Sequence, residues 1–405
     1  AESSVENAAT TESVPTESAP AGSTATDTAT SGPATTGPAA TDAATTPPVT
    51  TGSVATGTEP AALDDVDVTV FGVEDGLRQD RLDAIEIGPD GAVWAGVGLI
   101  DGWSWARLDG DRFAPVAESP GWGSKFAAGL ADELWMFGPL VFANPGVQHF
   151  DGSEWSMDAE ATVGSGAVDT DGTLYGFSVA PDAVDSLAEV LTPFASFDGV
   201  DWTELPAPPD WGDLSGDVGI APDGAVWLRT LEGLAWFDGE EWASTADLDP
   251  AEAAAFDHVG PGGFSLGADG TAWMLYDDDE YGPAWLRLAD GAVQRQAIDV
   301  AGLAFEPTCD AHTSGQLPLS TDPEVALIDL GYLVAGFAGD TDGMLWTATT
   351  CLGVTRTDPV SGEVVVFTTA DGLPSLGFVD IAAHPDGSVW VATDAGIVRF
   401  TPAMS

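Results

Sequence analysis

The sequence predicts an all-β fold, a seven-bladed β-propeller of four-stranded antiparallel blades. Three observations lead there. An Asp-Gly turn followed by a tryptophan recurs along the chain, the recurrences lie one blade length apart, and the two ends of the repeat region complete each other.

The recurring unit is an alternating apolar run, an Asp-Gly turn and a strand opening on tryptophan. It appears as Asp90-Gly-Ala-Val-Trp94, Asp223-Gly-Ala-Val-Trp227, Asp269-Gly-Thr-Ala-Trp273, Asp342-Gly-Met-Leu-Trp346 and Asp386-Gly-Ser-Val-Trp390. Asp132-Glu-Leu-Trp135 has lost the glycine, and Asp171-Gly-Thr-Leu-Tyr175 carries Tyr in place of Trp. A second Asp-Gly turn follows in Phe150-Asp-Gly-Ser-Glu-Trp155, Phe197-Asp-Gly-Val-Asp-Trp202 and Phe237-Asp-Gly-Glu-Glu-Trp242. Asp-Gly supplies the positive φ of a tight hairpin, so each unit reads as four strands joined by two such hairpins.

The seven aromatic positions are spaced 41, 40, 52, 46, 73 and 44 residues apart. A period of roughly 40 to 50 residues is that of propeller blades. The 73-residue interval implies an insertion within 296–340, Pro307 to Pro323 included; a degenerate eighth blade is the alternative. The last repeat stops after Gly396-Ile-Val-Arg-Phe400 without an outer strand, while Val66–Phe71 precedes the first repeat as a strand without a blade. Val70–Trp94 aligns with Val366–Trp390 without a gap, matching at Asp75-Gly-Leu77, Ile85 and Pro89-Asp-Gly91. Val66–Phe71 is therefore expected to pair with the C-terminal repeat, closing the ring and removing two sheet edges.

Residues 1–62 are almost wholly Thr, Ala, Ser, Pro, Gly and a few acids, with no aromatic residue, Leu, Ile, Lys or Arg. Such a segment lacks the apolar area to offset chain entropy, so a disordered leader is expected before a propeller over 63–405. A start at Ala1 suits a processed N-terminus, and the expectation is export by a bacterium to the cell envelope or beyond, with lipid or wall anchoring left open. No run of 18 apolar residues occurs. Against 66 acidic residues stand 10 basic ones, a net charge of −56. A surface this negative repels phosphate backbones, which excludes nucleic acid as a partner. Adaptation to salty surroundings is the plain reading of that charge, and a cation store the sharper one. Cys309 and Cys351 fit neither a four-cysteine zinc site nor a C-x-x-C pair, and in an exported protein they are expected to form one disulfide.

Over residues 371–400 (Asp-Gly-Leu-Pro-Ser-Leu-Gly-Phe-Val-Asp-Ile-Ala-Ala-His-Pro-Asp-Gly-Ser-Val-Trp onward) the chain resembles the two-component regulator propeller repeat. The likeness is close there, good at Asp75–Trp94 and partial elsewhere. It implies a seven-bladed fold in an exported sensory setting and carries no family-wide catalytic residues. Gly88 to Trp94 is also similar to virginiamycin B lyase-type repeats, which are likewise seven-bladed. That second likeness supports an alternative: a metal-assisted lyase-like enzyme, with loop carboxylates holding the metal and His258 as acid or base.

No nucleophile elbow, phosphate loop or histidine metal pair is present, so no catalytic residue and no cofactor is assigned. Asp340-Thr-Asp-Gly343 and Asp169-Thr-Asp-Gly172 lack the remaining ligands of a calcium loop, and turn geometry accounts for them. The run Asp277, Asp278, Asp279, Glu280 is the one candidate for a divalent cation, weighed against a solvated loop tip. The tryptophans in register should wedge between blades, burying on the order of 150–250 Å² each. Trp103, Trp105, Trp122 and Trp211 fall outside that register and are placed in or near loops. In a propeller the loops joining second to third strands, and those joining blades, share one face, which would carry the ligand site. The candidates are Arg78, Asp80, Arg81, Trp103, Trp122, Arg229 and Tyr276, arginine and aromatic chemistry that suits an anionic or sugar-like ligand. The expected partner is a small molecule, a glycan or a protein, bound by a monomer.

Overall fold

The computed structural model describes residues 66–99, 102–116, 118–119, 121, 123, 125–138, 147–158, 163–179, 191–206, 214–230, 233–253, 256, 263–276, 284–289, 292–297, 334–350 and 352–402. The expected leader over 1–62, the greater part of the 296–340 insertion, and Cys309 and Cys351 lie outside the described residues.

Seven four-stranded antiparallel sheets account for the described strands. The first blade is β2 (Ala84–Ile87), β3 (Val93–Leu99), β4 (Gly102–Asp109) and β5 (Arg112–Pro115). The second is β6 (Lys125–Ala128), β7 (Glu133–Phe137), β8 (Val147–Asp151) and β9 (Trp155–Asp158). The third is β10 (Val163–Val168), β11 (Leu174–Val179), β12 (Leu191–Phe197) and β13 (Trp202–Glu204). The fourth is β14 (Leu214–Ile220), β15 (Val226–Thr230), β16 (Gly233–Phe237) and β17 (Trp242–Ser244). The fifth is β18 (Phe264–Leu266), β19 (Ala272–Tyr276), β20 (Ala284–Ala289) and β21 (Ala292–Ala297). The sixth is β22 (Val334–Gly339), β23 (Leu345–Thr349), β24 (Gly353–Thr357) and β25 (Val364–Phe367). The seventh is β26 (Phe378–Ala383), β27 (Val389–Thr393) and β28 (Gly396–Pro402), with β1 (Val66–Phe71) as its outermost strand.

The register of that last pair runs from Val66 opposite Pro402 to Phe71 opposite Ile397, so the ring closes as the sequence predicts. The inner strands contact one another in the cycle β2, β6, β10, β14, β18, β22, β26 and back to β2. Because β18 meets β22 directly, no eighth blade stands between the fifth and sixth.

Turn chemistry fixes the hairpins. In the first blade Asp90 Oδ1 accepts from the Ala92 N–H at 2.9 Å, and Gly91 takes φ +82°, where glycine alone is unstrained. Thr271 on Asp269 and Ser388 on Asp386 repeat the bond. In the second blade Ala131 and Asp132 hold φ of +49° and +78°, so the turn outlived the loss of its glycine. The two motifs screened for calcium are turns of the same kind. Asp340 Oδ1 accepts from Asp342 and Met344 N–H, and Asp169 Oδ1 from Asp171 and Thr173.

Each aromatic in register packs on the blade that follows it. Trp94 joins Leu134, Met136 and Phe150 of the second blade, and Trp135 joins Val163 and Leu174 of the third. Tyr175 lies against Val226 and Leu228 of the fourth, and Trp227 against Ala272, Met274 and Leu286 of the fifth. Trp273 packs with Phe337 and Leu345, Trp346 with Val389 and Phe400, and Trp390 with Ile85 and Val93. The core of this protein is thus seven seams rather than one interior.

Candidate functional site

The hairpin turns occupy one face of the ring. The other carries the connections between blades and the loops between second and third strands, as expected from the strand order. On that face the chain crosses from β1 into the first blade through residues 72–83. The crossing is tied down by its own carboxylates. Gly72 N–H donates to Asp75 Oδ2 at 2.9 Å, Val73 N–H to Asp80 Oδ1 at 3.1 Å, and Gly98 N–H to Asp83 Oδ2 at 2.9 Å. Gly76, at φ +100°, sits where a Cβ would come within 1.9 Å of the Phe113 carbonyl oxygen, so only glycine fits. Leu77 and Leu82 then plug the top of the core at 3% and 1% exposure. Leu82 N–H reaches the Thr393 carbonyl of β27 at 3.2 Å, fastening this loop to the seventh blade.

Two clefts open beside this crossing. One, of about 340 Å³, is lined by Leu77, Leu82, Ala95, Val97, Trp105 and Val116, among others, with Arg78 and Glu118 as its charged residues. The other, of about 410 Å³, is lined by Gln79, Arg81, Asp83, Gly98 and Trp103. Three of the residues expected to hold a ligand, Arg78, Arg81 and Trp103, are therefore brought together at the first blade. Arg81 is the most open of them: its side chain is 72% exposed, and its ion pair with Asp83 spans 3.6 Å. Arg78 is paired with Glu118. Asp80, expected beside them as a ligand group, holds the loop backbone.

Two expectations are corrected. Trp103 and Trp105 are strand residues, not loop aromatics, because β4 begins at Gly102 directly after a two-residue connection. Trp103 is 8% exposed, donates from Nε1 to the Gly123 carbonyl at 3.1 Å and stacks on Trp105 with centroids 5.7 Å apart. It keeps an edge on the second cleft, opposite Gly98. Arg229 is likewise on β15, 6% exposed and 3.4 Å from Asp217, so it belongs to the interior of the ring. Tyr276 ends β19. Trp122, Trp211, Asp277, Asp278, Asp279, Glu280, His258 and His312 lie outside the described residues. Among the described residues no three His, Cys, Asp or Glu side chains gather as a metal site would require.

A charged cluster along the inner strands has no counterpart in the sequence reading. Lys125 of the second blade, the only lysine in the chain, reaches Asp217 of the fourth at 3.0 Å, skipping the third blade and so crossing the channel. Glu86 and Asp380 sit beside it on the first and seventh inner strands. Burial pushes the Asp380 carboxyl up to about 6, against N–H bonds from Ile85 and Ile381 and the charge of Lys125, which pull it down. Burial, then the charge of Asp380, hold Glu86 well above the ordinary range.

Both groups bind a proton more tightly in the fold than in the open chain, where carboxyls titrate near about 4. Their contribution to stability is therefore full below about 4; that of Asp380 is lost as pH rises through about 6, and that of Glu86 is likewise lost on the alkaline side. Asp151 has the opposite sense. N–H bonds from Glu154 and Ser153 and the Ser153 hydroxyl lower it to about 2, so its contribution is lost as pH falls towards that value. Thermal unfolding is expected to peak near pH 5 and fall by pH 8, and Glu86→Gln should flatten the alkaline fall. A melting temperature equal at pH 5 and pH 8 in the parent protein would contradict this.

The chain is a closed seven-bladed β-propeller with clefts on its loop face. No family model matches the sequence, and no curated protein matches it. The fold is similar to that of streptogramin B lyase, at 13% identity and a TM-score of 0.50 over 84% of this chain and 98% of that one. It is similar too to PorZ, a surface component of the type-IX secretion system of Porphyromonas gingivalis, at 17% identity and a TM-score of 0.50. That match covers 80% of this chain and 47% of PorZ. The extracellular domain of the hybrid two-component system BT3049 of B. thetaiotaomicron gives 13% identity and a TM-score of 0.45, over 83% of this chain and 42% of that one. Identities this low establish the architecture that the repeat resemblance implied, and nothing finer. Among the described residues no helix is long and apolar enough to cross a membrane.

Proposed function

We propose that this propeller is a non-enzymatic interaction or sensory module, acting outside the cytoplasm, that takes a small anionic or sugar-like ligand on its loop face at the first blade. The observation that carries this reading is Arg81, largely exposed over a cleft walled by Trp103 in a protein of net charge −56. Five of the ten basic residues (Arg78, Arg81, Arg107, Arg112 and Lys125) fall between positions 78 and 125, so the first blade and its flank hold half of the chain's positive charge. An arginine fork above an aromatic wall matches a carboxylate on a sugar-sized frame. The Thr- and Ala-rich composition of residues 1–62 supports export.

Titration with glucuronate and galacturonate beside glucose and galactose, followed by NMR, tests the site. Arg81→Ala is expected to remove binding with an unchanged melting temperature, since Arg81 is mostly in water. Asp151→Ala and Asp238→Ala, on the hairpin face, should lower stability and leave binding alone. Perturbations confined to the hairpin face would refute the assignment.

A further inference from the structure

The cleft beside Arg81 is built from polar groups held in place, with one side left bare. Asp83 is pinned twice: its N–H donates to the Gly96 carbonyl at 2.9 Å, and its Oδ2 accepts from the Gly98 N–H at 2.9 Å. The other oxygen, Oδ1, faces Arg81 at 3.6 Å, beyond hydrogen-bond length. Gln79 Nε2 donates to the Arg81 carbonyl at 3.0 Å, which leaves its Oε1 as a second acceptor on the rim. Gly98 is the bare side. Its φ is not in the left-handed region, and a Cβ there would meet Asp83 Oδ2 at 3.5 Å and the Trp103 ring at 3.9 Å, ordinary contact distances. Alanine would therefore fit, and a strand ordinarily gains stability from it. What the glycine leaves open is the space between Asp83 and Trp103, the floor of the cleft.

We propose that this cleft recognises the head group of a free α-amino acid, its carboxylate on Arg81 and its ammonium on Asp83 Oδ1. The inference rests on the reading that an anionic group is received at Arg81 and adds the second charge. A plain carboxylate seated on Arg81 would lie close to Asp83 and be repelled by it. An ammonium one carbon away from that carboxylate turns the repulsion into a second charge-assisted bond. A zwitterion is also neutral as a whole, so it enters the field of a chain of net charge −56 without the penalty a free anion meets. The distance selects the α spacing. With Arg81 Nη2 and Asp83 Oδ1 only 3.6 Å apart, the charges of the guest must be adjacent too. The side chain of the guest is not read: Trp103 is 8% exposed and the Arg81 side chain 72%, so the cleft is a polar seat open to water, with no apolar hole beneath it.

The test titrates glycine, leucine, acetate, methylamine and 4-aminobutyrate into the full chain and follows the amide NMR signals of Gln79, Arg81, Asp83 and Gly98. Glycine and leucine are expected to bind alike. The other three should bind about tenfold or more weakly, since each lacks one charge-assisted bond or holds its charges too far apart. Asp83→Asn keeps an acceptor for the Gly98 N–H and removes only the charge. It should weaken glycine by about tenfold and strengthen acetate, closing or reversing the gap between them. Gly98→Ala, which covers the floor without strain, should weaken both amino acids severalfold at an unchanged or higher melting temperature. Acetate matching glycine in the parent protein, or an unchanged ratio of the two in Asp83→Asn, overturns the proposal. Should galacturonate shift these signals while glycine does not, this inference fails and the loop-face reading stands. If neither shifts any signal on the loop face of the first blade, both fail.

Discussion

Deleting Val66–Phe71 is expected to destabilise the propeller by on the order of 5 kcal/mol or more and to make it aggregate, whereas removing residues 1–60 should change its stability little. The large effect has two sources. Phe71 is 4% exposed, stacks on Trp390 with centroids 5.4 Å apart and meets Phe113 edge-on at 5.7 Å. Losing a ring packed in this way costs about 3–5 kcal/mol. Without β1, moreover, β28 becomes an open edge bearing Ile397, Val398 and Phe400, none of them exposed in the closed ring. An apolar edge with unpaired backbone groups recruits another chain. Arg399 lies over both Phe71 and Trp390, at 5.6 and 5.4 Å, so the closing strand is also held by a cation. Denaturant unfolding of the two truncated proteins, with light scattering, provides the measurement. Equal stability of the two would mean that β1 does not close the ring.

That closure was legible because it depends on pattern alone: an orphan strand at one end, a missing one at the other, and turn chemistry local to two residues. The seam tryptophans were legible for the same reason, since the register from Asp-Gly to Trp is fixed by one short hairpin. The arginines were not. Arg107, Arg287, Arg356 and Arg399 lie on third strands directly opposite Trp94, Trp273, Trp346 and Trp390, and His149 lies opposite Trp135. His149 stacks on its tryptophan at 3.8 Å. Arg287, Arg356 and Arg399 are thus lids on the seam rings, while Arg107 turns to Asp132, a placement set by loops between second and third strands whose lengths vary too much to reveal the register. The same uncertainty put Trp103 in a loop. Arg78 and Arg81 stood out in the sequence because arginine is scarce in so acidic a chain and both fall in the short loop before the first inner strand. The Lys125–Asp217 bridge escaped because its partners are 92 positions apart and meet only across a closed ring.

The repeats also allow one seam to serve as the control for another. Trp346 and Trp94 occupy the same position in their blades, at 2% and 0% exposure. They differ in what the indole N–H meets. Trp346 donates from Nε1 to Asp340 Oδ2 at 2.8 Å, whereas the Trp94 indole nitrogen is buried with no hydrogen-bond partner among the described residues. Replacing either by alanine is expected to cost about 3–5 kcal/mol through the emptied seam. Replacement by phenylalanine should separate the two. At Trp94 it removes ring volume and a polar group that had no partner, so the loss should be about 1–2 kcal/mol. At Trp346 it leaves Asp340, itself 2% exposed, short of a donor for a buried carboxylate oxygen, with the Arg356 Nε 3.9 Å away as the nearest cation. An orphaned charged acceptor adds about 1–3 kcal/mol or more, so Trp346→Phe should be clearly the worse of the two. The measurement is urea unfolding of all four variants against the parent. If the two phenylalanine variants lose equal stability, the seam is held by volume alone and the Asp340 bond contributes nothing.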